Sequence, residues 1–152
     1  MKSLSFIFVF ALMGLPLQSF GSSSPLLVFD YGNQICREKL IVYDDGTVVH
    51  NRSCYNGKTQ LDSTTLTLAE VGGLESLISQ AAVGTFMKSP FQVTLGSASG
   101  YLRGFVSDSP VDLRNYDRTI STGIKTINQS TAARSVEAFI LQKWSVNLPP
   151  LN

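Results

Sequence analysis

Acyl transfer requires a nucleophile, a base and a group that orients the base. The chain has a single histidine, His50, and no Gly-x-Ser-x-Gly segment to present a serine. With those partners missing, His50 reads as a partly buried or edge imidazole. Carboxylate chemistry requires two acids held in different environments around one pocket. Asp44 and Asp45 sit in a turn that already accounts for them. Asp108, Asp112 and Asp117 carry oxygen, but their spacing is not that of a twelve-residue calcium loop, and Pro110 lies among them. Glu70 and Glu75 have helix roles. Gly72-Gly73 lacks the lysine of a phosphate loop. Two distant cysteines and one histidine do not make a zinc set. The expectation is a non-enzyme without catalytic residue, cofactor or metal.

Recognition is better supplied. Arg114, Tyr116 and Arg118 alternate in one polar segment, and Tyr101 with Arg103 forms a similar pair upstream. Arginine and tyrosine carry a disproportionate share of energy where proteins meet. These five residues are the candidate partner-binding set, against the plainer reading of solvated loop residues with a tyrosine packed on the core.

The elements that must position them begin with two cysteines. Ile35–Tyr43 and Thr47–Cys54 read as paired strands around Asp44-Asp45-Gly46, a three-residue turn with glycine at the left-handed position. That turn sets Val42 opposite Val48, Ile41 opposite Val49, Glu38 opposite Arg52 and Cys36 opposite Cys54. The cysteines then fall on a non-hydrogen-bonded pair, where α-carbons are closest and a disulfide fits. Leu26–Tyr31 precedes this hairpin as a strand, giving a three-stranded meander, and Tyr55–Thr65 reads as a polar connection with an Asn56-Gly57 turn.

Thr67-Leu68-Ala69-Glu70 has the spacing of a capping box and predicts a helix with Leu68, Val71, Leu74, Ile78 and Ala81 on its apolar face. Gly84 stops it, and Phe86 follows as a core anchor. Phe91–Leu95 and Tyr101–Val106 read as a second hairpin, with Phe91, Val93 and Leu95 inward and Gly104 marking a bulge or close approach. Ser107–Arg118 reads as a surface loop. Residues 119–127 fit either strand or helix, and their threonines favour strand. A C-terminal helix from Ser130 carries Ala133, Val136, Ile140 and Trp144 on one stripe, and Pro149-Pro150 ends the fold. Adjacent hairpins, without strict strand–helix alternation, predict an α+β fold: an antiparallel sheet built from hairpins, two helices on one face and one disulfide.

Residues 1–21 have a basic start, an apolar run and small residues before a cut after Gly21. This reads as a signal peptide, leaving residues 22–152 as one exported domain, secreted or periplasmic. The apolar run is shorter than a membrane span and is interrupted by Gly14 and Pro16. An even cysteine count agrees with an oxidising compartment. The remaining segment has eleven basic and eleven acidic side chains. Without cation excess it suits neither nucleic acid nor, after cleavage, a membrane surface. Asn51-Arg52-Ser53 and Asn128-Gln129-Ser130 match the glycan acceptor pattern.

The element order, with the helix Leu68–Ile78 followed by Phe86, a strand pair after Pro90 and a last helix ending at Trp144, resembles that of the emfourin-type metalloprotease inhibitors. The disulfide and the long segment from Ser107 to Ile127 depart from that layout, so no family residue is carried over. The resemblance implies a small protein that blocks an extracellular or periplasmic protease by surface contact. The residues themselves imply an exported, non-catalytic domain whose partner is another protein. A small exported hydrolase using His50 or the Asp108–Asp117 carboxylates is the alternative, as is a structural envelope protein.

Overall fold

A computed structural model of the chain describes residues 23–119, 121–146 and 148. The leader read over 1–21 and the Pro149-Pro150 stop lie outside these residues. The described residues form an α+β fold: one eight-stranded antiparallel sheet, two helices packed on one face, and one disulfide. Strands β1 (Pro25–Gly32), β2 (Cys36–Tyr43), β3 (Thr47–Cys54) and β4 (Thr59–Thr65) run as a meander into helix α1 (Leu68–Ala81). Strand β5 (Phe86–Gln92) crosses to the far edge, β6 (Ser99–Val106), β7 (Ser109–Asp117) and β8 (Thr122–Asn128) form a second meander, and helix α2 (Thr131–Trp144) closes the order. Across the sheet the sequence is β4-β3-β2-β1-β6-β7-β8-β5.

The β2–β3 hairpin has the expected register throughout, from Val42 opposite Val48 to Cys36 opposite Cys54. Those cysteines are bonded, with α-carbons 4.0 Å apart. Gly46 takes φ +84°, and a Cβ there would sit 2.8 Å from the Leu66 carbonyl oxygen, so the turn requires glycine twice over. The expected three-stranded meander gains a fourth member, because the polar Tyr55–Thr65 segment holds β4. Thr67 caps α1 with both bonds of the capping box. Leu68, expected on the buried face, is instead exposed, and Val71, Leu74, Ile78 and Ala81 carry the contact.

Four expectations are corrected in the second half. Strand β5 pairs with β8, not β6, so Phe91–Leu95 and Tyr101–Val106 do not form a hairpin. Segment 107–118 is no surface loop: Ser107 and Asp108, at φ +47° and +63°, make a two-residue left-handed turn, and β7 follows it between β6 and β8. Such a turn matches the twist of the strands it joins. Phe86 is 44% exposed rather than a core anchor, and Leu95 is exposed too. Residues Thr122–Asn128 form a strand, as their threonines favour.

The core lies between the sheet and the helices. Phe29, Leu40, Val42 and Leu102 from the sheet meet Leu74, Ile78, Val136 and Ile140 from the helices, all buried. A Cβ on Gly104 would sit 2.4 Å from Cγ2 of Ile78. The glycine therefore lets α1 seat directly on β6, the close approach its place in a strand pattern signals.

Candidate functional site

The two helices do not cover the sheet evenly. Strand β4 is exposed along all seven residues, so the β3–β4 side of the sheet projects past the helical layer. On the helix-side face of this projection Glu38, His50, Arg52, Gln60, Asp62 and Thr64 line a groove of about 550 Å³, with Lys143, Trp144 and Ser145 from the C-terminal end of α2 as its opposite wall. Strand alternation places these residues together. His50 is paired with Leu40 on one side and Asp62 on the other, and Arg52 lies between Glu38 and Gln60.

Within the groove Nε2 of His50 lies 2.8 Å from Oε1 of Glu38, with side chains 15% and 8% exposed. Gln60 Nε2 donates to Asp62 Oδ2 at 2.7 Å. At the rim, Lys143 turns away to pair with Glu70 on α1. That ammonium, with the Thr67 backbone and hydroxyl donors, holds the Glu70 carboxyl down to about 2. Ser145 takes a left-handed conformation and its N–H donates to the Leu141 carbonyl, ending α2 against the groove. The groove thus mixes acceptors and donors around an indole. The His50 imidazole is held by the Glu38 carboxylate through Nε2. Among the described residues no group of three histidine, cysteine or acidic side chains is placed to hold a metal ion.

The five candidate partner-binding residues do not come together. Tyr101 and Arg103 lie on the sheet face opposite the helices, with the Arg103 guanidinium 4.8 Å from the Tyr101 ring centre and its Nε donating to Asp112 Oδ1 at 2.6 Å. Arg114 lies beneath the helices at 3% exposure, donating through Nε and Nη2 to both carboxylate oxygens of Glu137 on α2 at 3.0 and 2.7 Å. Tyr116 is buried beside it, edge-on to Tyr31 and Phe91. Burial pushes the Tyr116 hydroxyl up, and pushes that of Tyr31 up much further. Arg118 donates to the Ser97 carbonyl at 2.9 Å, tying down the 94–99 loop. The surface patch read from Arg114 and Tyr116 is therefore corrected: Arg114 joins sheet to helix, and Tyr116 packs among the aromatic rings of the sheet. Of the expected set, Tyr101, Arg103 and Arg118 keep accessible surface.

The sequence pattern places Glu38, His50 and Arg52 together on the hairpin, but the polar 55–65 segment does not announce Gln60 and Asp62 as groove residues, and the α2 stripe does not announce Trp144 as its opposite wall. The signal for β4 was present in the alternation of Thr59, Leu61, Ser63 and Thr65 with Gln60, Asp62 and Thr64. Of the two acceptor sequences, Asn51 is exposed on β3, whereas Asn128 is 1% exposed and its amide donates to the Ala81 carbonyl at 2.8 Å. A shallower apolar depression on the far side, lined by Phe86, Val106 and Pro110 among others, accounts for the exposed Phe86 ring. No helix among the described residues is long and apolar enough to cross a membrane. Comparison of the chain with family models, with curated proteins and with solved structures finds no match.

Proposed function

We propose that this is a small exported, non-catalytic domain that binds another protein, using the open edge of β4 and the groove beside it. The observation that carries the reading is β4 itself, a strand exposed at all seven residues and lying at the end of the sheet order. An edge strand presents unpaired N–H and C=O groups to any extended chain, and native proteins blunt such edges when they are not used. The opposite edge is blunted, since β5 carries Lys88 and Pro90. Strand β4 contains neither lysine nor proline. The Cys36–Cys54 bridge one hairpin inward holds the projecting strands without a helix above them.

The test is capture by immobilised residues 22–152 from the culture fluid or periplasm of the source organism, run beside a Ser63→Pro variant. The reading predicts a captured protein that the proline variant loses. Equal recovery by both would remove the β4 edge from the account. The resemblance to emfourin-type inhibitors makes an extracellular or periplasmic metalloprotease the partner to try first, read as loss of its activity on adding the domain.

The paired His50 and Glu38 in a groove favour one other reading, a small exported hydrolase. It predicts turnover on peptide, glycan or ester substrates that His50→Ala abolishes. Turnover that survives the substitution would exclude His50 as essential.

A further inference from the structure

The parity of the β3–β4 ladder is fixed at both ends. Cys54 donates its N–H to the Lys58 carbonyl, and Leu66 donates to the Gly46 carbonyl. Even-numbered residues of β4 therefore bond inward to β3, and Thr59, Leu61, Ser63 and Thr65 turn their N–H and C=O groups to the open edge. A ninth strand laid antiparallel on this edge would exchange hydrogen bonds with Leu61 and Ser63. The residue opposite Asp62 would then occupy a non-hydrogen-bonded pair, the position at which facing side chains approach closest.

From this we infer that the β4 edge takes up an extended segment of the partner protein carrying a basic residue opposite Asp62, flanked by apolar residues opposite Leu61 and Ser63. The inference rests on the binding reading given above and specifies its occupant. Three features of the site select that chemistry. Asp62 is exposed on the groove side and accepts from Gln60, a neutral donor that leaves the carboxylate its charge. The C-terminal end of α2, with its partial negative charge, ends at Ser145 on the facing wall. On the other face Leu61 is 67% exposed, offering apolar surface to a neighbouring side chain. Three basic groups border the site. Lys143 is paired with Glu70, His50 directly opposite Asp62 is held by Glu38, and Arg52 is the diagonal neighbour of Asp62, opposite Gln60. Asp62 also works against self-association, because a symmetric pairing of two copies centred on it would set carboxylate against carboxylate.

The probes are three capped heptapeptides, Val-Thr-Val-X-Val-Thr-Val with lysine, alanine or glutamate at X, whose palindromic sequence gives the same side-chain order in either chain direction. They are titrated into residues 22–152, with binding followed by amide chemical shifts. The lysine peptide is expected to bind about fivefold more tightly than the glutamate peptide, the size of a favourable cross-strand charge pair. Asp62→Lys is expected to reverse the order. Ser63→Pro, which removes an outward N–H and leaves the β3–β4 ladder intact, is expected to abolish binding of all three. Leu61→Pro is the second variant, and near-UV dichroism confirms that each remains folded. Equal affinity for the three peptides, lost in Ser63→Pro, would overturn the basic preference while leaving the edge in place. Binding that survives both prolines, or no binding by any peptide, would overturn the edge as well. A concentration-dependent dimer dissolved by Ser63→Pro would assign the edge to a second copy and overturn the basic segment.

Discussion

Arg114 shows how far a side chain's surroundings can depart from its sequence neighbourhood. In the chain it stands among Asp112, Asn115 and Tyr116, which look solvated. In the fold its forked bond to Glu137, 23 residues away, ties β7 to α2. No local pattern announces a partner at that distance, and a charge that is almost never buried alone reads as exposed. Breaking a buried pair by removing one member leaves an uncompensated charge, so Arg114→Ala or Glu137→Ala should each destabilise the domain by about 3–5 kcal/mol in urea unfolding. Joint replacement by Met and Leu should recover most of that loss. Tyr31 presents the reverse case, a buried hydroxyl without a hydrogen-bond partner among the described residues. Removing an unsatisfied group relieves a desolvation cost, and Tyr31→Phe should raise stability by about 1 kcal/mol. Glu70 governs part of the acid response. Its folded pKa is depressed to about 2 from 4.5, chiefly by Lys143, so its stabilisation is present above 4.5 and is lost as pH falls toward 2. Glu70→Gln should flatten the melting-temperature profile in that window, lying below wild type near neutrality and converging with it near pH 2. A profile as steep as wild type would remove Glu70 as a contributor.

At the scale of elements, legibility followed turn chemistry. Asp44-Asp45-Gly46 fixes loop length and the left-handed residue together, so the whole β2–β3 register could be written from the sequence, down to the cysteine pair. Ser107-Asp108 makes a tight turn without the Asn-Gly or Asp-Gly signature such turns usually carry. The strand behind it, rich in Pro, Asp, Arg and Asn, is one that propensity disfavours and pairing on both sides restores. The β5–β8 pairing joins segments 30 or more residues apart in sequence, and nothing local specifies it. Two left-handed non-glycine residues in succession store strain. Ser107→Asn with Asp108→Gly should therefore stabilise the domain by about 1 kcal/mol in urea unfolding. An unchanged midpoint would mean that the turn is already relaxed. The staple contributes on a larger scale. With a sequence separation of 18 between the cysteines, Cys36→Ala with Cys54→Ala should cost about 3 kcal/mol and loosen the β2–β4 end of the sheet before the rest, visible as faster amide exchange there.

For the whole molecule, the division of labour between the two ends of the sheet is the feature with functional weight. Strands β1, β6 and β7 hold the helices through Gly104–Ile78 packing and the Arg114–Glu137 pair. Strands β3 and β4 project beyond them, stiffened by a disulfide and bordered by a polar groove. The sequence disclosed the stapled hairpin and the recognition chemistry in general, yet placed the binding surface on residues that the fold uses internally, because exposure depends on which strands the helices cover. The proposed edge makes a prediction at this scale that needs no mutation. Amide hydrogen exchange should be measured on the domain alone and saturated with its captured partner or, failing one, the lysine-centred heptapeptide. The account predicts that the outward amides of Leu61 and Ser63, fast in the free domain, become protected in the complex while those of β5 keep their rates. Leu61 and Ser63 amides that exchange as fast in the complex as in the free domain would contradict it.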